Sequence, residues 1–393
     1  MNPLDNPFSP GAGSRPPELA GRAEEIFQIE LLLKRLSVGR PQRSLLITGL
    51  RGVGKTVLLN EFETMATDAG WATAFKEIPS EHQDPFRDTV AILIRATLFK
   101  IAREKGLVAE VKRAIGALRS FRPKVSASVD PASGAVEYSV GIEPTPGVAD
   151  SGSMPEDLSD LLLEVGKAAR AHSTGVLLLF DEVQNLAPPD LEALITALHR
   201  VSQKNLPVAA VAAGLPTLPA MAAEAASYAE RLFEFREIDR LDHEAASLAL
   251  RHPTEPDLSW SHEAIELAIC ETDGYPYFIQ EWGQKIWNVA AGPSVGVEDV
   301  ERARGLALHD LDRGFFAVRL ERASPAEQKY LRAMAAGSLP ARSAEVTKRF
   351  GSGGSSEVRD RLIKKGLVYS PSRGEIDFTV PHFAGFLRRQ SGP

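Results

Sequence analysis

The 393-residue sequence has one cysteine, Cys270. A lone thiol excludes an intramolecular disulfide and any cysteine-based zinc site, and it fits a reducing compartment. The eight histidines are scattered without metal-ligand spacing. No Ser/His/Asp or Cys/His arrangement stands out either. Aromatics make up only 7% of residues. Those of "YPYFIQEWGQKIW" fall at helical spacing and read as core, not as a base-stacking surface. There is no overall excess of positive charge: 45 Lys and Arg face 52 Asp and Glu, a net charge of −7. The chain as a whole is therefore no general nucleic-acid binder, which leaves room for a local basic face. No apolar run approaches the ~20 residues of a membrane helix. The start "MNPLDNPFSPGAGSRPPELAGR" lacks the basic-then-apolar pattern of a signal peptide. These absences lead us to expect a soluble, cytoplasmic protein without a membrane partner.

The length allows two or three domains and a sizeable core. Residues 1–18, rich in Pro, Gly, Asn and Ser, read as a flexible tail. Beyond it, buried strands alternate with helices: "SLLIT", "WATAFKEI", "VLLLFDE" and "LPVAAVAAG". That alternation predicts an α/β fold with a parallel sheet and helices on both faces. "KVSASVDPASGAVEYSVGIEP" alternates with period two around a turn and predicts a hairpin insertion over about 120–157. The core is expected to span 19–240. A helical region follows over 241–320. Over 321–393 come short helices and then "LVYSPSRGEIDFTV", two strands around a turn.

Between the first strand and its helix stands Gly49-Leu50-Arg51-Gly52-Val53-Gly54-Lys55-Thr56, the pattern G-x-x-x-x-G-K-T. Glycines let backbone N–H groups turn inward onto phosphate oxygens. The helix N-terminus adds partial positive charge. The pattern assigns Gly49, Gly52, Val53, Gly54, Lys55, Thr56 and Val57 to a nucleotide, with Lys55 on the β and γ phosphates and the Thr56 hydroxyl on Mg²⁺. Such a loop needs an acidic residue at the end of a neighbouring strand. "VLLLFDEVQNL" supplies Asp181 for the metal and Glu182 as general base. ATP and Mg²⁺ are the expected ligands.

With these residues the chain resembles the P-loop ATPases of the AAA+/STAND group, particularly the archaeal-type and origin-initiator-like branch. "LAGRAEEI" resembles that group's N-terminal box, which implies that Gly21 and Arg22 flank the base or phosphates. "GYPYFIQEWG" is similar to the Gly-x-Pro box, which implies a lid with Pro276 on adenine. "YAERLFEFREIDRL" resembles the arginine-finger segment, with Arg231 the matching residue. The terminal region resembles a winged helix-turn-helix with 355–366 as recognition helix. An alternative for Arg231 is an ion pair with Glu230 or Glu234, and Arg236 and Arg240 compete for the finger. An alternative for Pro276 is the first position of an ordinary helix. The strand after "DE" offers no polar sensor before Thr217, and the lid offers no sensor arginine, so the resemblance implies a slow ATPase acting as a switch.

From Pro325 onward, twelve Lys and Arg face six Asp and Glu. Double-stranded DNA bound through 325–390 is therefore the expected partner, met by Arg359, Lys364, Lys365 and Arg373. The alternative is a signalling or scaffold ATPase whose winged helix binds protein. A finger acting on a neighbour's nucleotide implies a homo-oligomer.

Overall fold

Strands β1 (Ser44–Thr48), β3 (Val176–Asp181) and β4 (Val208–Gly214) are buried along their whole length, as near-continuous apolar runs require. With β2 (Ala72–Glu77) and β5 (Phe233–Glu237) they form one parallel sheet of order β2-β3-β4-β1-β5. Register places Leu45 beside Val211 and Ala72 beside Val176. This is a computed structural model, and it describes all residues except 12, 81–84, 107, 123–141, 352 and 391–393. The expected hairpin lies largely outside the described residues.

Side chains alternate across the pleat and build two cores. Leu45, Ile47, Leu177, Leu179 and Val211 face one layer, with α1 (Ala23–Ser37) and α2 (Lys55–Asp68). Leu46, Leu178, Phe180, Ala210 and Ala212 face the other. That second layer is α3 (Phe86–Lys105), α4 (Ala109–Phe121), α5 (Met154–Ala171), α6 (Pro188–Gln203), α7 (Leu218–Ala225) and α8 (Ala229–Leu232). The α/β expectation holds. β5 was not read as a strand, because as an edge strand it buries only part of its length.

A helical region follows: α9 (His243–Arg251), α10 (His262–Thr272), α11 (Pro276–Val289) and α12 (Val297–Asp310). The two-residue strands β6 (Ser259–Trp260) and β7 (Ser294–Val295) pair within it. α12 continues through a π-type turn, Leu311–Phe316, into α13 (Ala317–Glu321). The last unit holds α14 (Pro325–Ala335), β8 (Ala341–Arg342), α15 (Ser343–Phe350), α16 (Ser355–Lys364), β9 (Val368–Tyr369), β10 (Glu375–Phe378) and α17 (Phe383–Gln390). Its strands make a three-stranded sheet of order β8-β10-β9. A capping box opens α14: Ser324 N–H donates to Glu327 at 2.7 Å, and Glu327 N–H to Ser324 at 3.4 Å.

Two parts depart from the reading. The Pro- and Gly-rich start is packed, not loose, because Phe8 drops into a slot that only a glycine leaves open. Phe8 is 3% exposed, and a Cβ on Gly283 would lie 2.5 Å from its ring. The Trp287 indole donates to the Asn2 carbonyl at 2.9 Å, and Asn60 donates to that of Gly13 at 3.1 Å. Second, the helical region and the last unit share one core. Phe278 meets Phe316 at 6.5 Å, and Phe316 stacks on Phe386 at 5.5 Å.

Candidate functional site

The apolar strand β1 ends at Thr48, and the chain then needs a turn that only glycine permits. Gly52 and Gly54 adopt φ of +89° and +100°, a region that L side chains avoid. Gly54 caps α2, so the first turn of that helix points its N–H groups at the loop. The start of α11 lies over the loop, with Tyr277 N–H donating to the Gly52 carbonyl at 3.2 Å. Between them opens a cavity of about 540 Å³.

Arg22, Gly52, Val53, Gly54, Lys55, Thr56, Val57, Asp181, Glu182 and Pro276 all line this cavity. Lys55 is buried, and its ammonium donates to the carbonyls of Gly49 at 2.9 Å and Leu50 at 2.8 Å. Burial lowers its pKa to about 8, against the raising pull of Glu182 and Asp181. The Thr56 hydroxyl donates to Asp181 Oδ2 at 2.6 Å. A hydroxyl touching a buried carboxylate is the hard-oxygen donor set that suits Mg²⁺. Burial raises the Asp181 pKa, while hydrogen bonds from Thr56 and the Glu182 backbone pull it down. Glu182 takes φ +54°, and its N–H donates to Asp181 Oδ1 at 2.8 Å. That turn keeps both carboxylates on the cavity wall.

Arg22 is buried with its guanidinium on backbone carbonyls, donating to Val53 at 3.0 Å and Asp239 at 2.7 Å. Burial lowers its pKa. It braces the loop from the cavity wall. Three expected residues are not brought into the wall. A Cβ on Gly21 would lie 2.9 Å from that of Ala245, so Gly21 serves packing on α9. Gly49 passes tightly under the Ile238 carbonyl. Arg231 is exposed, just before β5, whose Phe233 pairs with Ser44 at the start of β1. It therefore stands at the opposite end of the strands from this chain's own cavity. Its competitors are engaged: Arg236 with Glu24 and Glu234, Arg240 with Asp273.

Several residues of the site and its surroundings were not read from the sequence. Arg51 pairs with Glu182, Nη1 to Oε1 at 3.2 Å and Nη2 to Oε2 at 3.4 Å. Gln184 donates to Glu182 and accepts from Leu215 N–H at 3.0 Å, so it occupies the end of β4 where Thr217 was considered. Arg319 reaches the cavity from the lid side, where the sequence offered no obvious sensor arginine. The π-type turn swings α13 so that Arg319 and Phe315 line the cavity. The Arg319 guanidinium sits 3.6 Å from the Phe315 ring centre, and burial beside Arg51 lowers its pKa to about 10. Ser9, Pro10, Gly11, Gly13, Ser14 and Pro16 of the packed start also contribute wall. A phenylalanine before a Pro/Gly stretch was the one signal that this start could pack.

Residues 18–211 match a family model described as AAA ATPase domain, and residues 313–387 match a domain of unknown function, DUF8462. The chain carries an AAA ATPase domain. The AAA ATPase match takes in the P-loop, Asp181 and Glu182. The second match starts at the π-type turn, so Phe315 and Arg319 belong with the last unit as much as with the lid. The Walker-type ATPase PABY2304 of Pyrococcus abyssi is 16% identical, over 95% of this chain and 97% of that one, with TM-score 0.60. The Aeropyrum pernix ORC2 protein in its ADPNP–ADP complexes is 15% identical, over 98% of each chain, with TM-score 0.51. Its ADP form reaches 0.52. At such identities the likeness is one of fold. No curated protein matches the sequence. Among the described residues no helix is long and apolar enough to cross a membrane.

Proposed function

We propose that the protein is an ATP-driven molecular switch. It binds ATP with Mg²⁺ between the core (19–240) and the lid (241–320), hydrolyses it slowly, and passes the nucleotide state to a winged helix (321–393). The observation that carries this reading is the 2.6 Å bond between Thr56 and Asp181 beside Lys55 and Glu182 on one cavity.

The chain's own residues divide the work. Backbone N–H groups from Gly52 to Thr56 and the N-terminus of α2 hold phosphate oxygens. Lys55 places a point charge on the β and γ phosphates. Thr56 and Asp181 hold Mg²⁺, which would supply further positive charge to those oxygens. Glu182 accepts a proton from the attacking water, whose oxygen bonds to the γ-phosphorus as the bond from that phosphorus to the bridging oxygen of the leaving ADP breaks. Pro276 and Tyr277 close on the base side. Arg231, remote from its own cavity, acts on a neighbour's nucleotide in a homo-oligomer. Wild-type turnover, lost in Glu182→Gln without loss of ATP binding, tests the ATPase reading. Unchanged turnover per protomer across a wide concentration range, with Arg231→Ala equal to wild type, would remove the finger.

The partner we favour is double-stranded DNA, because Lys348, Lys364 and Arg373 are exposed on the last unit. Binding of duplex by the full-length protein should weaken steeply with salt. One observation favours a protein partner instead. Lys365, expected to meet DNA, donates to buried Glu327 at 2.7 Å, and Arg361 to the same carboxylate at 3.4 Å. Affinity for duplex that is absent, or indifferent to salt, would select that second reading.

A further inference from the structure

Helices α2 and α11 both contribute wall to the cavity, and the packed start of the chain runs from one to the other. Residues 2–9 ride on α11. Phe8 fills the slot over Gly283. The Asn6 amide donates to the Gln284 carbonyl at 3.0 Å and to Asn288 at 2.9 Å, and Ser9 N–H donates to Gln280 Oε1 at 3.3 Å. Residues 13–16 rest on α2. The Gly13 carbonyl accepts from Asn60, a Cβ on Gly13 would lie 3.1 Å from the Thr56 methyl, and Arg15 pairs with Glu61 at 3.1 Å. Pro10 and Gly11, between the two attachments, face the cavity. The start is thus a strap that closes one side of the cleft between core and lid.

The two attachments are unequal. The lid end buries a whole aromatic ring and adds four hydrogen bonds, counting that from Trp287 to Asn2. The core end has one amide hydrogen bond and an ion pair whose arginine is exposed, a contact that contributes little. When the cleft opens, the strap therefore travels with the lid and parts from α2. Pro10 and Pro16 fix their own φ, so little chain entropy opposes its return. We infer that Phe8 is a positioning residue for the nucleotide: lodged over Gly283, it holds the strap across the open side of the cavity, and a bound nucleotide leaves only when the core end of the strap lets go. This inference rests on the nucleotide reading above.

The test follows release of radiolabelled ADP from the full-length protein with Mg²⁺, chased with unlabelled ADP. Phe8→Ala should speed release about tenfold, since a buried ring is lost from the anchor. Phe8→Leu, which refills much of the slot, should fall between. Gly283→Ala attacks the same contact from the lid. Alanine favours helix α11 itself, yet its Cβ evicts the ring, so release should speed up as in Phe8→Ala. The double variant should match Phe8→Ala alone, because one contact can be lost only once. Asn60→Ala, at the core end, should speed release about fivefold, the scale of one hydrogen bond. In steady state Phe8→Ala should raise KM for ATP without lowering kcat, a split that a general loss of folded protein does not produce. Bound ADP should slow amide exchange across 6–11 in wild type and not in Phe8→Ala. Release at the wild-type rate in both single variants, or a double variant faster by the product of the two single effects, would overturn the inference while ADP binding stands. Wild type that binds no ADP would bring down the nucleotide reading and this inference with it.

Discussion

The molecule carries two sets of cations, and they differ in what the protein does with them. The cavity holds few, and the deepest of them are desolvated. Lys55 is 7% exposed and Arg22 9%, and burial lowers the pKa of both. The last unit holds many, and several are spent internally. Arg361 and Lys365 pair with Glu327, whose side chain is 2% exposed. Arg388 donates to the carbonyls of Ala335 and Gly337, and Arg389 pairs with Asp312. A count of charges in sequence therefore overstates the positive surface of the last unit, whereas the cavity's cations were undercounted because Arg51 and Arg319 follow no motif. Charge that matters is charge left facing a ligand.

The sharpest break of the cavity set is Lys55→Ala, which should lower kcat/KM for ATP by about 10²–10³-fold, the scale of losing one preorganised electrostatic contact. Steady-state kinetics checks it. In the last unit, Glu327→Gln should cost about 2–3 kcal/mol in chemical denaturation, because two cations lose their carboxylate and the cap weakens. The same variant frees Arg361 and Lys365. If DNA is the partner, its duplex affinity should rise and its salt dependence steepen, which would turn one cation set toward the behaviour of the other.

Titration separates the two sets further. The Lys55 pKa of about 8 lies below the ordinary 10.5. Between those values the unfolded chain binds more protons, so stability should rise with pH from about 8 toward 10.5, and Lys55→Met should lack that rise. Phosphate binding restores the Lys55 proton, so ATP affinity should fall by up to about tenfold per unit above pH 8. Calorimetry at several pH values measures both. Glu327 runs the other way. Burial pushes its pKa up, but Lys365 and Ser324 outweigh that and lower it. Its contribution is present above about pH 4.5 and lost as pH falls through the folded value. The smallest effect concerns His382, whose pKa burial lowers and whose ring packs 5.0 Å from Phe278. It charges more readily unfolded, so stability should decline as pH drops below about 6.5.

The P-loop and the Asp181–Glu182 pair were legible because phosphate chemistry demands rare residue types at contiguous positions after buried strands. The alternation of strands and helices gave the layered core for the same reason of uninterrupted apolar runs. What was not legible depends on distance. Arg319 reaches the cavity only through the π-type turn. Gln184 matters because β4 ends beside it. Phe8 anchors the start because Gly283 leaves a slot. Helix α17 did carry a signal, Phe383, Phe386 and Leu387 at helical spacing, which went unread beside the strand before it.

The measurement that meets the central claim most directly is steady-state ATP hydrolysis by full-length wild type and Glu182→Gln, with nucleotide binding followed in parallel. A slow wild-type turnover that vanishes in Glu182→Gln, while ATP still binds, is the result the account predicts. Hydrolysis at the wild-type rate in Glu182→Gln, or no ATP binding by wild type, would contradict it.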